Sequence, residues 1–256
     1  MSIYSEAQIA DLMKELEAVA KKETSIVHRL LSFPFKTQKA EEYARHGLGR
    51  RIKSIAHSVR RVFEELPPGM NGLPDADSLE EATVHIQSVA FHAYGCFDNL
   101  AHIWVEERDV RHENGRELSP ILIGFGEKCQ QVLASLPTDL QKRLAELRPW
   151  MTFLEAFRHS SAHRIPLYIP PYVIDPRHLK EYGSLGLAQE AAARVPDWEE
   201  YDRLHDRQLA FATFRPMTAT SLSAVKTALF HPQLLCDFAT VEEWTRLTLD
   251  ALQPSG

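Results

Sequence analysis

The residues from Asp77 to Glu107 constrain this chain most. Asp77-Ser78 followed by Glu80-Glu81 has the acidic character of a helix start, and no proline interrupts the thirty residues that follow. Ile86, Val89, Ala93, Phe97, Leu100 and Trp104 recur at helical spacing, so one long helix with a single buried stripe is predicted. Such a helix needs partners of comparable length, and the preceding sequence supplies them. Ser5 to Leu31 carries Ile9, Leu12, Met13, Leu16, Ala20, Val27, Leu30 and Leu31 in a helical pattern that Pro34 stops. Gln38 to Leu66 buries Leu48, Ile52, Ile55, Val59, Phe63 and Leu66 and ends at Pro67-Pro68-Gly69. Its opposite face carries His46, Arg50, Lys53, His57 and Arg60.

Further on, helices are predicted over 121–136 and from Thr138, the latter interrupted or kinked at Pro149, with Trp150, Leu154, Phe157, Ser161 and Ile165 facing inward. Leu167 to Ile174 is β-prone, but Pro170 and Pro171 confine it to an edge strand or extended arm. Leu209 to Phe214 and Ala224 to Phe230 also read as strands, with helix an alternative for the second. Gly183 to Gln208 is weakly periodic and reads as a loop holding a short helix over 188–194. Thr240-Val241-Glu242-Glu243 is predicted to cap a last helix reaching Leu252. The expected architecture is mostly α: a helical bundle over 1–166, then a small β-containing attachment and a closing helix over 167–256 that packs on the bundle. No internal repeat is visible.

With 256 residues, 44% of them hydrophobic, the chain can bury a full core. A net charge of −6 excludes coating nucleic acid by overall charge, so any such contact needs a local basic patch. Cys96, Cys129 and Cys236 are far apart and odd in number, which supports neither a disulfide framework nor a thiolate zinc site. The start lacks a basic and apolar leader pattern, and no apolar run approaches the roughly 18 residues of a membrane span. A soluble, cytoplasmic chain without membrane contact is expected.

The segment that carries chemistry is Phe157-Arg158-His159-Ser160-Ser161-Ala162-His163-Arg164, at the end of a helix that Pro166 terminates. Arg158 sits beside the inward stripe, where a permanently charged guanidinium needs an acidic or phosphate partner. His159 and His163 are four apart and share a face. Helix-end cations also have an ordinary electrostatic rationale, and a structural Arg is the plain alternative.

These residues resemble the HEPN superfamily, helical bundles marked by an arginine and a histidine separated by four to six residues near the end of a late helix. Arg158 and His163 match, and the polar residue that commonly follows the arginine is His159 here. Arg50 and Arg51 with His57 also fit the spacing, but they lie mid-helix and early in the chain. The resemblance covers the helical part; Leu167 to Phe238 has no counterpart in a minimal bundle of this kind. It implies a metal-independent endoribonuclease needing no cofactor, often a homodimer whose two Arg–His sets line a shared cleft. It also implies toxin–antitoxin or antiviral-defence settings with a partner protein, and some members are inactive binding modules.

The chemistry suits the residue types. A histidine titrating near neutrality can take the ribose 2′-hydroxyl proton, and arginine offers a bidentate clamp for charge gathering on phosphate. His163 is therefore expected to transfer the proton, Arg158 to stabilise phosphate and His159 to assist, with RNA as substrate. Asp98, in Asp98-Asn99-Leu100-Ala101-His102, is expected to orient Arg158 if the two helices pack together. Arg50, Lys53, Arg60 and Arg164 are the candidate RNA-backbone contacts; a solvated outer face explains the first three equally simply. Tyr168, Tyr172 and Phe214 could stack on bases, packing being the plainer role. Two rival readings stay open. Glu155, His159 and His163 on one helix, with Asp98 and His102 on another, form a His/carboxylate set able to hold a metal. In the other, the chain is a non-enzymatic partner-binding protein.

Overall fold

The computed structural model describes residues 3–163, 165–219 and 228–253, with the backbone alone for 159–163. Helix α1 spans Glu6–Ser32. Ser5 caps it reciprocally: the Gln8 backbone N–H donates to the Ser5 hydroxyl at 3.3 Å, and the Ser5 N–H to the Gln8 side chain at 2.9 Å. Its buried residues are Val19, Ile26 and Leu30, while the expected inward residues Met13 and Leu31 are exposed. Between Gln38 and Glu65 the chain is helical throughout but not uniformly α: α2 (Gln38–Glu42) and α3 (Gly49–Glu65) flank a π-helical turn, Tyr43–Leu48. The sequence gives a reason. Ala40, Ala44, Leu48 and Ile52 are all buried and spaced by four. Each such step overshoots an α-helical turn by about 40°, and the wider π turn takes out that drift.

Helix α4, Ala76–Arg108, is the central element, and all six stripe residues predicted for it are buried. Its cap is Asp75, two residues before the expected start, accepting from the Ser78 N–H at 2.8 Å. The helix ends at Asp109, which takes a left-handed conformation (φ 49°). Around α4 pack α3, α6 (Thr138–His163) and α9 (Phe230–Leu252). The α6 helix continues through Pro149 rather than breaking there. Pro149 lies on an exposed face, and one residue later the Trp150 indole N–H donates to Asp237 on α9 at 2.7 Å, anchoring the second half. Leu154 and Phe157 face inward as expected, but Ile165, past the helix end, is exposed.

The predicted helix over 121–136 is mostly loop: a single 3-10 turn at Pro120–Leu122, then α5 at Gln130–Ser135. Gly124 and Gly126 interrupt it, and Phe125 plugs the core between them, its ring edge-on to Phe97 and Trp244. The region 183–208, read as a loop with one short helix, instead forms two helices, α7 (Leu179–Arg194) and α8 (Trp198–Leu209). Leu185, Ala192 and Leu204 make a small core of their own between them. Gly186 lets the hairpin close, since a Cβ there would lie 3.1 Å from the Gln208 amide.

The β content is slight. Strand β1 (Val173–Ile174) pairs antiparallel with β2 (Ala212–Thr213), and β3 (Met217–Thr218) with β4 (Ala228–Leu229). Leu209, expected in a strand, ends α8; residues 224–227 lie outside the described set, and Phe230 already belongs to α9. Helix α9 begins ten residues before the predicted cap. Pro232 sits in its first turn, where a missing N–H is harmless, and the Thr240 hydroxyl donates back to the Cys236 carbonyl at 2.8 Å instead of capping. Trp244 of α9 is fully buried and stacks on Phe97 at 5.8 Å. The protein is mostly helical, and no helix among the described residues is long and apolar enough to cross a membrane.

Candidate functional site

Where the 121–129 loop departs from α4 and α6, a cleft of about 810 Å³ opens between them. Helix α4 contributes Tyr94, Phe97 and Asp98, α6 contributes Arg148, Trp150, Glu155 and Arg158, and the loop contributes Phe125, Glu127, Lys128 and Cys129. Its floor is therefore aromatic, with Trp150 tilted against Phe97 at 5.1 Å, and its walls carry charges of both signs.

Arg158, singled out from sequence, is half-buried on the wall of this cleft. Its guanidinium lies over the ring of Tyr94, 4.4 Å from the centroid, a cation–π arrangement that holds the plane without consuming the charge. Asp98 lines the same cleft, so the structure brings the two together. They interact through space rather than by a direct bond. Surrounding protein raises the Asp98 carboxyl above its ordinary value, while Arg158 and then Arg51 pull it back. The Tyr94 hydroxyl is raised as well, first by burial and then by the charges of Asp98 and Glu155, with Arg158 opposing. The Cys129 thiol is raised chiefly by burial, which leaves it protonated and a poor nucleophile at neutral pH.

The α6 backbone is helical through His163, so His159 and His163 lie one and five positions beyond Arg158 on a continuous helix. Their side chains, and Arg164 altogether, lie outside the described residues. His102, proposed with Asp98 as half of a metal-binding set, is not part of the cleft; it stacks on Tyr43 with ring centroids 4.5 Å apart, and its Nδ1 has no hydrogen-bond partner. Among the described residues no three His, Cys, Asp or Glu side chains are grouped so as to hold a metal ion.

The basic stripe sits apart from the cleft lining. Arg50 and Lys53 are exposed, and Arg60 is paired with Glu23 at 3.0 Å. Tyr168 joins an isolated bridge with Ala219, the Tyr172 hydroxyl bonds that of Tyr182 at 3.0 Å, and Phe214 packs on the core. Sequence reasoning missed Tyr94, Arg148, Lys128 and the loop itself. The Gly124-Phe125-Gly126 punctuation was the signal available for the loop; Tyr94 gave none, because its role depends on which helix faces α4.

No known family model matches the chain, and no curated protein or solved structure is similar to it.

Proposed function

We propose that the cleft between α4 and α6 binds single-stranded RNA and cuts it without a metal. The observation that carries this reading is Arg158, an unneutralised, ring-braced guanidinium on the cleft wall, five positions before a helix-end histidine. Stacking on Tyr94 braces the guanidinium on the cleft wall, and its planar N–H fork suits a two-point grip on phosphate. Aromatic groups on the floor supply apolar surface for bases.

In this mechanism His163 takes the proton from a ribose 2′-hydroxyl. The 2′-oxygen attacks the adjacent phosphorus, the bond from phosphorus to the 5′-oxygen breaks, and the leaving oxygen takes up a proton. Products are a 2′,3′-cyclic phosphate and a 5′-hydroxyl end. Arg158 stabilises the extra charge on the phosphoryl oxygens, a contribution typically worth about a hundredfold or more in rate, and His159 assists proton transfer. A homodimer would bring two such sets together, and a toxin or defence role with a partner protein suits an RNA-cutting chain.

The test is incubation of the purified protein with RNA in EDTA, with the product ends identified. Cyclic-phosphate ends, loss of cutting in His163→Ala and resistance of a 2′-deoxy strand support the reading. RNA that binds but stays intact makes the cleft a binding module, and cutting that EDTA abolishes points to the metal reading.

A further inference from the structure

A second guanidinium lies near Asp98, outside the cleft. Arg51 reaches from α3 across the face of α4, and its geometry is set by neutral groups. Its Nε donates to the Asn99 side-chain oxygen at 2.9 Å, and Nη1 lies 3.4 Å from the His92 ring nitrogen. Burial and the Arg51 charge both lower the pKa of His92, which favours its neutral form. Among the described residues no carboxylate sits within ion-pair distance of Arg51, and no hydrogen bond uses its Nη2. Arg60 and Arg143, which are also half-buried, are quenched, by Glu23 at 3.0 Å and by Glu243 at 2.6 Å.

The local backbone makes room for this arrangement at two points. The guanidinium rests on Gly95, where a Cβ would lie 2.5 Å from the Arg51 Cζ. Asn99, its orienting partner, is buried and fits against Gly47 of the π turn, where a Cβ would lie 2.7 Å from the Asn99 amide nitrogen. Two glycines and a π turn thus hold a cation in place by acceptors that carry no charge. Neutral acceptors fix the plane of the fork and leave its charge for an oxyanion, whereas a carboxylate would cancel it.

We propose that Arg51 is a second phosphate-binding group, which receives the RNA backbone as it leaves the cleft over α4. The inference rests on the RNA reading above for the identity of the ligand, but the oxyanion site stands on its own geometry. Asp98 feels the charge of both Arg51 and Arg158 and is hydrogen-bonded to neither.

The experiment measures binding of a short 2′-O-methyl RNA, which cannot be cut, by fluorescence anisotropy across salt concentrations, and of pyrophosphate by calorimetry. Arg51→Gln is expected to weaken RNA binding about tenfold and to reduce the salt slope by about 0.7, one phosphate contact on a single strand. Gly95→Ala keeps the charge of Arg51 but displaces its guanidinium, so it is expected to lose similar affinity while folding as well as the wild type. Wild-type binding in both variants, with only Arg158→Gln weakened, overturns the role of Arg51 and leaves the RNA reading intact. Pyrophosphate binding that Arg51→Gln abolishes, in a protein that ignores RNA, keeps the anion site and removes the RNA reading. A wild type that binds neither ligand overturns both.

Discussion

Asp237 is buried beside Trp150 and accepts two hydrogen bonds on one oxygen, from the Trp150 indole and the Gln233 amide, each at 2.7 Å. Burial outweighs those two bonds and pushes its carboxyl up from 3.8 to about 6. A raised folded-state value means the folded protein holds this proton more tightly than the unfolded chain. The group's contribution to stability is therefore largest below pH 3.8 and is lost as pH rises through about 6. A shift of about two units corresponds to about 3 kcal/mol. Asp237→Asn removes the titration while keeping the acceptor oxygen. Its new amide N–H₂ replaces the other carboxyl oxygen, and a buried unpaired donor costs about 1–3 kcal/mol at every pH. The level of stability is thus a poor readout, whereas its pH dependence is clean. Urea unfolding followed by circular dichroism between pH 3.5 and 7 measures it. The variant-minus-wild-type difference is expected to rise by about 3 kcal/mol across that range, in favour of the variant at the upper end. Parallel curves for variant and wild type would refute the argument.

His231 provides the mirror image. It is fully buried, its Nε2 is 2.6 Å from the Leu66 carbonyl, and burial lowers its value to about 4. Its contribution is present above 6.5 and lost as pH falls through about 4, so in the same urea experiment His231→Gln should shift with pH in the sense opposite to Asp237→Asn. Gly47→Ala forces a Cβ against the Asn99 amide, and urea unfolding should show a loss of about 1–3 kcal/mol despite alanine's better helix propensity. Asp98→Asn removes a carboxylate that feels both Arg158 and Arg51; anisotropy should show RNA binding a few-fold tighter, with cleavage slowed by loss of the group that orients Arg158.

The α4 stripe and most of α3 were legible because their apolar period is regular, but α4 is buried beyond the single stripe expected, with Cys96, Asn99, Ala101 and Ile103 also enclosed by the helices packed around it. The terminal capping signal misled, since Thr240-Val241-Glu242-Glu243 matches a helix start, but the residues upstream are already helix, with Phe230, His231, Leu234, Asp237 and Phe238 buried. Composition also misled at Gly183 to Gln208: two amphipathic helices there bury only a few residues against each other, so their periodicity is faint. For the site, Arg158 was readable as a charge beside the inward stripe of its helix, and Asp98 as a carboxylate on α4 that could face it. Tyr94, Gly95 and Arg51 were not, because their meaning lies in which helix crosses which, and sequence spacing along one helix carries no such information.

In the proposed reading the cleft, rather than the basic stripe on α3, carries the chemistry. Its most direct test is single-turnover RNA cleavage in EDTA by Arg158→Ala beside Arg50→Ala/Lys53→Ala, with all proteins verified as folded. Arg158→Ala is expected to lose about a hundredfold or more in rate, with near-wild-type cutting in the stripe variant. Cutting unchanged in Arg158→Ala would contradict it.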